Sequence, residues 1–132
     1  MDRGRTSGEK VIYKDLSYAI VGILYEVDNE LGTGLQEKYY QRAIEKALTK
    51  KNIPFKSQVP YEITIRGESI GRYFLDFLID DRIVLEIKKG HHFSKSNIEQ
   101  VKGYLHVTQK KLAILANFTP EGVRSMRILN LY

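Results

Sequence analysis

Apolar residues recur at spacings of three and four from Leu16 onward, through Ala19, Ile20, Ile23, Leu24, Val27 and Leu31. That period gives a helix with one apolar face. Asp15 suits its N-cap. Gly32 suits its end, because glycine accepts the left-handed conformation found there. A second helix is predicted to begin between Leu35 and Glu37. Its apolar face is Tyr40, Ala43, Ile44, Ala47 and Leu48. It ends at Lys50, Lys51 and Asn52, where positive charge complements the carboxyl end of the helix dipole. Pro54 stops any continuation. Gly32-Thr33-Gly34 follows a helix and not a strand, so it reads as an interhelical turn and not as a phosphate loop.

The period then falls to two. Val59, Tyr61, Ile63 and Ile65 alternate with Pro60, Glu62, Thr64 and Arg66, giving a strand with one wet face. Pro60 has no N–H to donate, which places this strand at a sheet edge. A turn at Gly67, Glu68 and Ser69 leads to a strand over 71–79. Asp80 and Asp81 turn the chain into another strand over 83–88. Both are apolar at nearly every position, so both faces should be covered. Ser96 and Glu99 form a capping box that opens a further helix, with Ile98, Val101 and Leu105 inward. A short apolar run over 112–118 reads as a strand, and 123–132 fits a strand or a helix equally well. A helix between the third and fourth strands makes a crossover, so the sheet should be mixed.

Composition narrows the classes. The 132 residues are one ordinary domain, and 42% hydrophobic with 28% charged residues is the balance of a chain that folds in water. The expected division is a flexible polar tail over 1–10 and a single domain over 11–132. The chain has no cysteine, which excludes disulfides, zinc–thiolate sites and thiol catalysis. No apolar run approaches the ~20 residues that span a bilayer. The polar start lacks the apolar stretch of a signal peptide, so a cytoplasmic location and no membrane partner are expected. A net charge of +5 points to an anionic partner, of which nucleic acid is the commonest.

Charged residues inside the apolar strands carry the candidate chemistry. Asp76 lies in FLDFL, and Glu86 and Lys88 lie in VLEIKK. Glu86 and Lys88 are two apart on a strand and share a face, while Ile87 points into the core with Ile83 and Leu85. Two acids and a lysine on one face suit a divalent-metal phosphodiesterase: hard oxygens hold magnesium, and a lysine can orient water or stabilise the pentavalent phosphate. A structural ion pair of Asp76 with Lys88 or Arg72 explains the same residues. A two-residue hairpin at Asp80–Asp81 would set Asp76 and Glu86 on opposite faces. The metal reading therefore requires a three-residue loop, Asp80 to Arg82, or a bulge. Lys89, Lys95, Lys102, Lys110 and Lys111 read either as a phosphate-tracking rim or as a solvated face. The adjacent His91 and His92 read as surface loop.

Gly34, Glu37 and Tyr40 in GLQEKYY match the Gly-x-x-Glu-x-x-Tyr signature, and the chain resembles the GxxExxY family of the PD-(D/E)XK nuclease superfamily. The likeness runs on through NIPFKSQVP, the Asp76 strand, Glu86-Ile87-Lys88, Gln100 and Tyr104 in EQVKGYL, and ILANF. It implies an α/β restriction-endonuclease-like core of helix, three antiparallel strands, helix and strand. The periodicity adds one helix in front. It also implies site roles. Asp76 and Glu86 match the metal ligands, with the Ile87 backbone carbonyl as a further one. Glu37 matches an acid that completes the set, Lys88 the catalytic lysine, and Gln100 a polar position on the next helix. Leu75 stands where the superfamily's name has proline.

The reading is metal-dependent hydrolysis of nucleic-acid phosphodiesters with Mg2+ or Mn2+. The expected partners are nucleic acid, DNA ahead of RNA, and a second copy of the chain as a homodimer. The alternative is a nucleic-acid-binding or protein-interaction module that keeps the fold without significant catalysis.

Overall fold

Two helices cover one face of a five-stranded sheet and a third helix covers the other. In chain order the elements are α1 (Lys14–Leu31), α2 (Glu37–Lys50), β1 (Phe55–Ile65), β2 (Glu68–Ile79), β3 (Ile83–Lys89), α3 (Lys95–Thr108), β4 (Leu112–Thr119) and β5 (Gly122–Leu129). The computed structural model of the chain describes residues 12–90 and 92–131. The tail expected over 1–10 lies outside them.

The strands lie in the order β1-β2-β3-β4-β5. All neighbours are antiparallel except β3 and β4, which are parallel and joined through α3. This is the mixed α/β sheet that the crossover demanded, and the ambiguous C-terminal stretch is its fifth strand. β1 is an edge strand, as Pro60 required.

Apolar burial holds the layers together. Ile20, Ile23 and Leu24 of α1 and Tyr40, Ile44 and Leu48 of α2 pack on Phe77, Ile83, Leu85 and Ile87. On the opposite face Val101 and Leu105 of α3 pack on Leu75, Leu78, Val84 and Leu115. Each such side chain stabilises the fold by about 1.5–3 kcal/mol.

Two caps differ from expectation. α1 starts at Lys14 behind Tyr13, which is left-handed, so Asp15 sits in the first turn, where its charge favours the helix dipole. α3 is capped by Ser94, whose hydroxyl accepts the Asn97 N–H at 3.0 Å, so Ser96 lies inside the helix. Two serines two apart offer the same short side chain. The one whose backbone is extended takes the cap.

Two irregularities position the site. The first is the β2–β3 turn. Ile79 pairs with Ile83, leaving Asp80, Asp81 and Arg82 as a three-residue loop. Asp80 and Asp81 are left-handed, which aspartate tolerates better than most residues, and Arg82 N–H donates to the Ile79 carbonyl at 3.0 Å. Continuing the register past Phe77↔Leu85 sets Asp76 opposite Glu86.

The second is a change of face in β1 and β2. Phe55 packs on the α1/α2 side, yet Val59 and Tyr61, also odd-numbered, pack on the α3 side. Phe77 and Leu75 differ in the same way. The switch falls at Gln58, left-handed at φ 50° within the strand, and at Asp76 facing it. Strict alternation would have turned Leu75 and Phe77 to one side. The switch places Asp76 at the seam between β2 and β3.

Candidate active site

Two carboxylates close that seam. The backbone N–H of Asp76 donates to Glu86 Oε2 at 2.8 Å, and the N–H of Ile87 donates to Asp76 Oδ2 at 2.8 Å. Ladder pairing between β2 and β3 stops at Phe77↔Leu85, and the side chains take over the hydrogen bonding beyond it. Glu86 is only 3% exposed, and Asp76 is half-buried. The Ile87 side chain is in the core, so only its backbone reaches the site.

Among the described residues no Lys or Arg nitrogen comes within ion-pair distance of Asp76 or Glu86. Arg72 pairs with Glu62 at 2.9 Å, and Lys88 Nζ contacts Gln100 Oε1 at 3.4 Å. The structural ion pair that the sequence left open is therefore not formed.

Burial, first, and the Asp76 charge, second, push the Glu86 carboxyl up to about 8, against the pull of Lys88. Burial likewise raises Asp76, opposed by the Ile87 N–H and Lys88. On the α3 side, Tyr73 stacks on Tyr104 with ring centroids 4.1 Å apart. Burial raises both phenols, Tyr73 to about 12, and the Glu86 charge adds to each. Both phenols therefore stay neutral at ordinary pH within reach of the Glu86 charge.

Glu37 is the first residue of α2. Its carboxylate accepts the Lys89 N–H at the end of β3. Burial of that end, then Asp76, raises its pKa, although much of the side chain remains in water. The loop before it explains the Gly-x-x-Glu-x-x-Tyr spacing. Gly34 has φ 94°, which a side chain would strain. The fully buried Tyr40 donates its hydroxyl to the Gly32 carbonyl at 2.7 Å, accepts the Leu35 N–H at 3.4 Å and stacks on Phe118 at 4.3 Å. Tyr40 thereby pins the loop to the sheet and fixes the start of the helix that carries Glu37. Tyr39 is 43% exposed.

The lysine rim is not continuous. Lys110 pairs with Asp81 at 3.3 Å, in the loop before β3, and Lys102 pairs with Glu99 at 3.4 Å. Lys89 lies at the site. His92 is exposed, and His91 lies outside the described residues.

Comparison with known proteins now bears on this arrangement. The family model of the PD-(D/E)XK nuclease superfamily matches residues 14–128. The chain belongs to that superfamily. Among solved structures it is similar to the protein designated SSO0001, at 23% identity and a TM-score of 0.52, over 89% of this chain and 57% of that one. The chain thus spans little more than half of that protein's length. It is also similar to an alkaline exonuclease (LHK-Exo) from Laribacter hongkongensis, at 10% identity and a TM-score of 0.49, over 86% of this chain and 82% of that one. The likeness to SSO0001 is one of fold. No curated protein matches the chain.

PD-(D/E)XK nucleases use divalent metal ions. Among the described residues, no three acids or histidines stand close enough to cage a metal by themselves. The donor set nonetheless fits such an ion. Two hard carboxylates meet with no ion pair to either among the described residues, and magnesium is usually held by one or two carboxylates, keeping several waters.

Two polar residues near these acids were not singled out from the sequence. Gln58 donates its side chain to Asp76, and its Nε2 lies 3.0 Å from Gln41 Oε1. Asn117, 1% exposed, is the register partner of Lys88 on β4. An asparagine inside the apolar run LAILANF was the signal for the second. Nothing in the sequence marks Gln58 as left-handed.

Proposed function

We propose that this protein is a metal-dependent nuclease of the GxxExxY branch that hydrolyses phosphodiester bonds in nucleic acid, DNA ahead of RNA. One observation carries the reading: Asp76 and Glu86 are drawn together in a protected seam, and among the described residues no cation stands within ion-pair distance of either. Such a pair disfavours its own ionisation, and a divalent ion supplies the missing charge.

In this reading Asp76 and Glu86 hold Mg2+ or Mn2+, with the Ile87 carbonyl as a further ligand. Glu37 completes the acidic set, directly or through water. When bound, the metal supplies a more acidic water and neutralises charge on the phosphate. Lys88 orients the attacking water and stabilises the negative charge that grows on the phosphoryl oxygens. Gln100 keeps the ammonium at the site through its 3.4 Å contact. The water oxygen bonds to phosphorus as one ester P–O bond breaks, and the departing oxygen takes up a proton. The Tyr73–Tyr104 stack limits water around the acids and strengthens these electrostatic effects.

The test is cleavage of a panel of single-stranded, double-stranded and structured DNA and RNA. Cleavage is expected with Mg2+ or Mn2+ and not with Ca2+ or chelator. Glu86→Gln should abolish it. Lys88→Ala should bind substrate nearly as well as wild type and lose the chemical step. A wild type that binds nucleic acid in a salt-dependent way but never cleaves it favours the binding-module reading instead.

A further inference from the structure

A second row of polar residues lies beside the acids. Lys88 on β3 is the register partner of Asn117 on β4, and Asn117 is the register partner of Arg124 on β5. Register partners on adjacent strands point to the same face. The neighbouring row confirms which face this is: Leu115 and Met126 pack with α3, whereas Ile87 and Ala116 pack with α1 and α2. Lys88, Asn117 and Arg124 therefore form one line across three strands, on the α3 side and next to Glu86.

The middle of this line is unusual. Asn117 is 1% exposed, and neither its Oδ1 nor its Nδ2 has a hydrogen-bond partner among the described residues. An unsatisfied buried polar group costs about 1–3 kcal/mol. Every other residue of β4 from Leu112 to Phe118 is buried and apolar, so an apolar side chain here would suit packing. The amide is flanked by two donor-only cations. Arg124 is exposed and has no ion pair among the described residues. An acid in the middle would neutralise one of the cations, whereas an amide leaves both charged.

We propose that Arg124 and Asn117, in line with Lys88, form a second phosphate subsite, for the phosphodiester next to the one that Lys88 serves. The inference rests on the nuclease reading above and adds to it a substrate class: a strand with at least two consecutive phosphates. Arg124 grips the neighbouring phosphate with its forked donors. Two inter-strand steps of about 4.8 Å separate Lys88 from Arg124, and both side chains are long enough to close on adjacent phosphates. Asn117 is a positioning residue. Its Oδ1 accepts from the cations as the strand draws them together, which satisfies an amide that has no partner among the described residues.

The experiment measures binding of short fluorescent single-stranded and duplex DNA in Ca2+, across a salt series. Wild type is compared with Arg124→Ala, Arg124→Lys, Asn117→Leu and the control Arg66→Ala, which lies in the β1–β2 turn. Arg124→Ala should weaken binding about tenfold at low salt and reduce the slope of log affinity on log salt by about 0.7–0.9, the share of one phosphate. Arg124→Lys should restore the slope, and Arg66→Ala should leave it unchanged. Asn117→Leu should weaken binding while its melting temperature holds or rises. A lower melting temperature for Asn117→Leu with unchanged binding would show a packing role and overturn the assignment of that residue. If wild type binds and cleaves DNA but Arg124→Ala binds identically, the subsite is wrong and the nuclease reading stands. If wild type binds no nucleic acid, both fall.

Discussion

Asp76 and Glu86 are tied across the β2–β3 seam: the Asp76 N–H donates to Glu86 Oε2, and Asp76 Oδ2 accepts from the residue after Glu86, both at 2.8 Å. The two acids thus hold each other's strands while their charges repel. That conflict sets the first three predictions.

The first concerns pH. Burial and Asp76 raise Glu86 from 4.5 to about 8, so over that window the folded protein keeps a proton that the unfolded chain has released. Stability is then full below the ordinary value and is lost as pH rises through the folded one. In chelator, the unfolding free energy of wild type relative to Glu86→Gln, from denaturation curves, should fall from about pH 5 to about pH 8 by an amount on the order of a few kcal/mol. A difference that stays flat or grows with pH contradicts the buried, uncompensated carboxylate.

Asp76→Asn separates a metal ligand from an ion-pair partner. Asparagine can still accept the Ile87 N–H, and the substitution removes a partly buried charge that raises Glu86. In chelator at neutral pH its stability should equal or exceed that of wild type, and metal-dependent cleavage should be lost. Thermal denaturation checks this. A loss of about 3–5 kcal/mol would mean that Asp76 compensates a buried cation.

Metal should reverse the strain. Adding Mn2+ to wild type should raise the melting temperature, more at pH 8 than at pH 5, because protons compete with the metal for the carboxylates. Glu86→Gln should show little of this rise.

Tyr40→Phe probes the loop that places Glu37. Losing the hydroxyl removes its bond to the Gly32 carbonyl, which costs about 1 kcal/mol of stability. The Phe118 stack and the core remain. Cleavage should fall by more than the small loss of folded protein explains, because α2 no longer starts at a fixed point. Kinetics at a temperature where both proteins are fully folded provide the check.

The sequence made the helical faces, the crossover and the mixed sheet legible, because long apolar periods leave few alternatives. It also made Asp76, Glu86 and Lys88 stand out, since charge inside an apolar strand needs a reason. Which face Asp76 takes was not legible. That depends on two consecutive left-handed aspartates and on a non-glycine left-handed residue, Gln58, and neither is dictated by local propensity. Once β2 changes face, a pattern apolar at nearly every position hides the change. β5 stayed ambiguous for a similar reason: its burial runs irregularly, with Val123 and Ile128 inward on different faces. Asn117 was visible as an oddity, but its neighbours Lys88 and Arg124 meet it only through the parallel β3–β4 pairing.

A crystal structure of the protein grown with manganese shows whether Asp76 and Glu86 hold a metal. An anomalous peak is predicted in the β2–β3 seam, ~2 Å from one oxygen each of Asp76 and Glu86, with water on its open side and Glu37 and Lys88 turned toward it. Glu86→Gln crystals grown in the same manganese should lack the peak. Wild-type crystals with the seam closed and no peak there at saturating manganese would contradict the metal-dependent nuclease reading.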